Sequence, residues 1–159
     1  MKRKISEMPE VNFYQLDNNK IHIALSKLIE KAYAIKKNAL IKTQSEESVS
    51  EIDDFLWSYD SYGFLPHSKI GDKNLELSPI HITYKECNPN KSVYMFLLNG
   101  AHISMNDIIT FERTFVLFNS YDTQYIDSVR GLWKGLSSKS IDRKYWINDK
   151  GRWSLKQID

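Results

Sequence analysis

Residues 11–16, Val11-Asn12-Phe13-Tyr14-Gln15-Leu16, stand just before Asp17-Asn18-Asn19 and a helical run from Lys20 to Lys37, after which Ala39-Leu40-Ile41-Lys42-Thr43 begins. The first and last of these stretches carry the aromatic and β-branched residues of strands. Between them Ile21, Leu25, Leu28, Ala32 and Ile35 recur at helical spacing, with Lys20, Lys27, Glu30 and Lys31 on the other side. Asp17, Asn18 and Asn19 supply N-cap chemistry; Lys36 and Lys37 suit the negative end of the helix, and Asn38 can take the left-handed closing conformation. Strand, helix, strand within about 30 residues is the size of a parallel βαβ unit.

Downstream, Ser45 caps a second helix with Glu46 and Glu47 in its first turn and Val49, Ile52, Phe55 and Leu56 inward, ending near Trp57. Periodicity then stops from Ser58 to Leu77, where Gly63, Pro66 and Gly71 punctuate a long connection. Pro79 to Tyr84 and Ser92 to Leu98 read as strands around the Cys87-Asn88-Pro89-Asn90 turn, and Thr114 to Phe118 as another. A last helix starts near Tyr121-Asp122 and buries Tyr125, Val129, Leu132 and Leu136. This order predicts a single three-layer α/β domain, a mostly parallel, doubly wound sheet flanked by helices. The predicted divisions are a mobile tail over 1–10, the domain over 11–146 and a basic extension over 147–159.

The 159 residues suit one core, and 42% hydrophobic with 26% charged residues is the composition of a packed globule. No apolar run approaches the roughly 20 residues of a membrane span, and the start Met-Lys-Arg-Lys lacks a signal peptide's apolar stretch, so a cytoplasmic protein is expected. A single Cys87 agrees with a reducing compartment. Neither GxxxxGK[ST] nor GxGxxG occurs, His22, His67, His81 and His102 are scattered, and no GxSxG elbow is present. No catalytic set, metal or cofactor is expected.

Charge is unevenly spread: residues 1–129 hold 14 Lys/Arg against 17 Asp/Glu, residues 130–159 hold 8 against 3. In the last helix 100° per residue places Arg130 and Lys134 on one stripe and Trp133 on its border with the buried one. Such a group fits an acidic peptide ending in an aromatic residue: the ring for apolar contact, Arg as a carboxylate fork, Lys as a point charge. Spacing alone favours the plainer arrangement, Trp133 packed on the sheet with both cations simply solvated. A nucleic-acid surface with stacked bases is the other functional reading, and spacing does not separate it from the peptide site.

Several ordered stretches carry a resemblance. Leu56-Trp57 with Phe64-Leu65-Pro66-His67, Leu97-Leu98-Asn99, Phe111-Glu112-Arg113, Arg130-Gly131-Leu132-Trp133-Lys134 and Tyr145-Trp146, opened by Phe13-Tyr14-Gln15-Leu16, together resemble the chi subunit of bacterial DNA polymerase III, the HolC family. The resemblance implies a nucleotide-binding-like doubly wound sheet and a non-catalytic adaptor of the clamp-loader complex in DNA replication. It further implies that Arg130, Trp133, Lys134, Lys139 and Tyr145 receive the acidic C-terminal tail of single-stranded-DNA-binding protein. Trp57, Phe64, Leu65, Pro66 and His67 would dock the psi subunit or another clamp-loader subunit, so that DNA is contacted indirectly. The rival reading is direct single-stranded DNA binding through Trp133, Trp146 and Trp153.

Overall fold

A computed structural model describes residues 8–17, 20–59, 64–98 and 100–158. Its strands are β1 (Glu10–Leu16), β2 (Ala39–Lys42), β3 (Ser68–Lys69), β4 (Ile80–Thr83), β5 (Tyr94–Leu97), β6 (Arg113–Asn119), β7 (Asp142–Asp149) and β8 (Arg152–Lys156). The helices are α1 (Ile21–Ala34), α2 (Glu46–Ser58), α3 (Met105–Ile108) and α4 (Thr123–Ser138), with one 3-10 turn at Leu75–Leu77. The strands form one sheet in the order β3-β4-β2-β5-β6-β1-β7-β8. Every neighbouring pair is parallel except β7 and β8. β1 and β2 are therefore parallel but not adjacent, because β6 and β5 lie between them.

Alternation along the strands sorts side chains into two cores. Ile41, Ile82, Phe96 and Leu117 face α1 and α2, where they meet Leu25, Ile29 and Ile52. Val11, Phe13, Val116 and Phe118 face the other way, onto Val129 and Leu136 of α4 and Ile108 of α3. Helices on both sides of the sheet make three layers, each fully buried Leu, Ile or Phe contributing about 1.5–3 kcal/mol of burial.

Local chemistry accounts for most boundaries. Ser45 Oγ accepts the Ser48 N–H at 3.2 Å at the start of α2, and Asp122 Oδ1 accepts the Tyr125 N–H at 3.1 Å at the start of α4. α1 ends a turn earlier than its apolar spacing predicts: Lys36, not Asn38, adopts the left-handed conformation (φ 59°), and Lys37 N–H bonds back to Ala32 O at 3.0 Å. Asn38 instead donates its side-chain amide to Asn90 O at 2.9 Å, leading into β2. Ile35, expected inside, is consequently exposed. At the opening of α1 the N-cap is Lys20, with no side-chain cap. Asn18, Asn19, Gly63 and Asn99, named in the sequence reading, lie outside the described residues.

The tail and extension also take part. Glu10 belongs to β1, and its carboxyl is held below its usual range: burial pushes it up, but the Asn12 hydrogen bond and the Lys144 and Arg113 charges outweigh that. β7 runs through residue 146 into the expected extension, and β8 returns along it by a turn at Lys150 and Gly151, both with positive φ. No described helix is long and apolar enough to cross a membrane.

Candidate functional site

The end of α4 is set by its fit to the sheet. Tyr125, Val129 and Leu136 are buried, Leu132 and Trp133 are half-buried, and Arg130 and Lys134 point outward, exposed. Lys139, the exposed C-cap residue, donates its N–H to Leu136 O at 3.1 Å, and Ser140 turns the chain with φ 55°. This tight exit brings β7 back beside the helix, so that Tyr145 lies against Trp133. Gly135 permits close packing here, since a Cβ would stand 2.6 Å from Met105 Cε, whereas at Gly131 it would meet nothing within 4 Å.

Trp133 is held by three side chains. Phe13 meets it edge-on with centroids 5.2 Å apart, and Tyr145 does so at 5.8 Å. The Arg143 guanidinium lies 4.1 Å from the indole centroid and donates to the Trp133 carbonyl oxygen, a cation–π contact reinforced by a hydrogen bond. The Trp133 Nε1 is shielded from solvent without a hydrogen-bond partner among the described residues. Tyr145 donates its hydroxyl to Gln15 Oε1. Burial pushes that phenol above its usual pKa, against the opposing pull of Arg130.

Cations surround this aromatic group with few internal partners. Arg130 Nη1 stands 3.8 Å from Asp127 Oδ1, both largely exposed, and such a pair contributes little. Lys134, Lys139, Arg143 and Lys156 form no ion pair among the described residues. Lys156 Nζ lies 6.0 Å from the Tyr145 centroid, on the same face because the two residues are directly opposed on β8 and β7. Arg130, Trp133, Lys134 and Tyr145 therefore gather at one end of the fold, with Lys139 at the turn between α4 and β7. Sequence reasoning missed Arg143, Gln15 and Lys156. The available signal was the alternation of Arg143, Tyr145 and Ile147, which as a strand puts arginine and tyrosine on one face.

A second group lies at the end of α2. Trp57 (58% exposed) and Phe64 (63% exposed) stand 5.5 Å apart between ring centroids. The His67 ring supports Trp57 at 4.8 Å. Its Nδ1 faces Leu65 O at 2.7 Å and its Nε2 faces Asp53 Oδ1 at 3.1 Å, while Lys69 Nζ is 3.5 Å from Asp53 Oδ2. Leu65 packs into the α1–α2 core, leaving the two outer rings as a paired projection beside half-buried Pro66. Among the described residues no cluster of three His, Cys, Asp or Glu side chains could hold a metal ion.

Fold and surface together define a three-layer α/β protein with a cationic, aromatic patch where its last helix meets the sheet. The chain belongs to the DNA polymerase III chi subunit (HolC) family, whose model matches residues 8–143. It is similar to a probable DNA polymerase III subunit chi of Rickettsia prowazekii (strain Madrid E), 27% identical over 100 residues. That alignment covers 63% of this chain and 61% of the relative.

Proposed function

We propose that this protein is an accessory, non-catalytic chi subunit of the DNA polymerase III clamp-loader assembly, acting in the cytoplasm in DNA replication. At one end Arg130, Trp133, Lys134, Lys139 and Tyr145 receive the acidic C-terminal tail of single-stranded-DNA-binding protein. At the other, Trp57, Phe64, Leu65, Pro66 and His67 dock the psi subunit or another clamp-loader subunit. Family membership supports the assembly. The observation that carries the tail site is the cluster of cations around Trp133 and Tyr145 with no strong counter-charge among the described residues. A carboxylate arriving there gains charge-assisted hydrogen bonds from Arg130 and a point charge from Lys134, while its terminal ring packs against the aromatic group. Arg143 holds the indole, and Lys156 extends the positive field. The paired Trp57 and Phe64 rings have the character of interface anchors.

A tryptophan-fluorescence titration with a short acidic peptide ending in Phe tests the tail site. Binding is expected at about micromolar strength, near 8 kcal/mol, weakening as salt screens the exposed charges. Arg130→Ala and Lys134→Ala should each reduce affinity several-fold. Unchanged affinity in both variants refutes the assignment. For the docking surface, Phe64→Ala should lose a clamp-loader partner in a pull-down from reconstituted subunits.

A further inference from the structure

The opposite face of β7 carries a different surface. Successive strand residues point to opposite sides, so Tyr145 faces α4 while Trp146 and, across the hairpin, Trp153 face α1. Between the hairpin and α1 runs an open groove of about 740 Å³. Its aromatic side is Tyr14, Trp146 and Trp153, and its other wall presents Lys20, Lys27 and Lys31. We infer that this groove binds single-stranded DNA, its bases stacking on Trp153 and the neighbouring rings and its phosphates meeting the α1 lysines.

Two observations converge on that ligand. The rings are held in place without one: Trp146 stacks on Tyr14 at 6.4 Å and donates its indole N–H to Asn12 Oδ1 at 3.2 Å. Trp153 stands edge-on to Tyr14 at 5.2 Å and remains 38% exposed. Pre-positioned aromatic faces bind bases of any sequence.

The charge is complementary as well. None of the three lysines forms an ion pair among the described residues. Lys20 also caps α1 at the end where the dipole disfavours a cation, with no acidic residue in the first turn. An anion at that point relieves both. Glu30 is the acidic residue of the lining. All the cations are lysines, point charges suited to phosphates in varied geometry, and no arginine fork for a peptide carboxylate lines the groove. The hairpin wall lies past residue 143, where the family match ends, and its groove-facing rings stand on the opposite face of β7 from Tyr145 of the tail site.

Fluorescence anisotropy of a labelled 12-residue oligo-dT strand with the full chain tests it, alongside the same-length duplex, the ribo-oligonucleotide and the acidic peptide. The oligo-dT is expected to bind, and Trp153→Ala to weaken it about 5- to 100-fold, with Trp153→Phe restoring most of the loss. Combined Lys20→Gln, Lys27→Gln and Lys31→Gln changes, on an exposed helix wall, should reduce the slope of log affinity against log salt by about 2. Arg130→Ala should weaken peptide binding several-fold and leave oligo-dT binding intact, which separates this groove from the tail site. The inference is overturned by oligo-dT affinity that ignores the lysine changes, by displacement with the peptide, or by equal or tighter binding of duplex or RNA.

Discussion

Arg143 does two things with one guanidinium: it covers the Trp133 ring at 4.1 Å and caps that residue's carbonyl, so the helix end and β7 are joined by a single side chain. Tyr145 makes a comparable bond on the sheet side through its hydroxyl to Gln15; a phenol is a donor at neutral pH in any case, and burial pushes this one further from ionisation. Tyr145→Phe removes the donor and leaves the Gln15 amide oxygen unmatched. A loss of about 1 kcal/mol is expected in urea denaturation, with peptide binding retained because the ring remains. Neither partner was legible beforehand. Trp133 and Tyr145 could be named from their motif, but Arg143 was one more cation in a basic stretch until β7 gave it a direction.

Glycine in mid-helix weakens α4 unevenly. At Gly131 there is open space for a methyl group, so Gly131→Ala should raise stability by roughly 0.5–1 kcal/mol. Gly135→Ala should gain less, because the end of the Met105 side chain must move; thermal melts of the two variants compare them directly. Elements with one buried stripe and a side-chain cap, such as α2 behind Ser45 and α4 behind Asp122, were readable from residues alone. β7 was not. Its neighbours Tyr145 and Trp146 each pack a different face of the sheet, which erases the polar–apolar alternation that marks a half-buried strand. The end of α1 was misplaced because Asn38 can adopt a left-handed conformation and is used instead for a side-chain bond to Asn90.

Across the whole molecule, parallel strands and flanking helices follow from the alternation of elements, but the strand order does not, since nothing local specifies that β1 pairs with β6 and β7. Stability also integrates distant groups. Burial pushes the pKa of both His22 and His81 below the ordinary 6.5, with Glu51 and Asp72 opposing only in part. The folded chain therefore binds fewer protons than the unfolded chain once pH drops below about 6.5, and stability falls in that direction. Denaturation midpoints at pH 7.5, 6.5 and 5.5 should decline in that order, and His81→Gln should flatten the trend.

The placement of β1 has a consequence for biogenesis. Glu10 lies beside Arg113 on one flank and Asp142 on the other, yet synthesis proceeds from the N-terminus. The first of the described strands in chain order is thus among the last to be enclosed. Until the chain has been made past Asn119, Val11 and Phe13 have no β6 beside them, and until past Asp149 no β7, so through most of synthesis this strand carries an open edge that only residues far downstream can close.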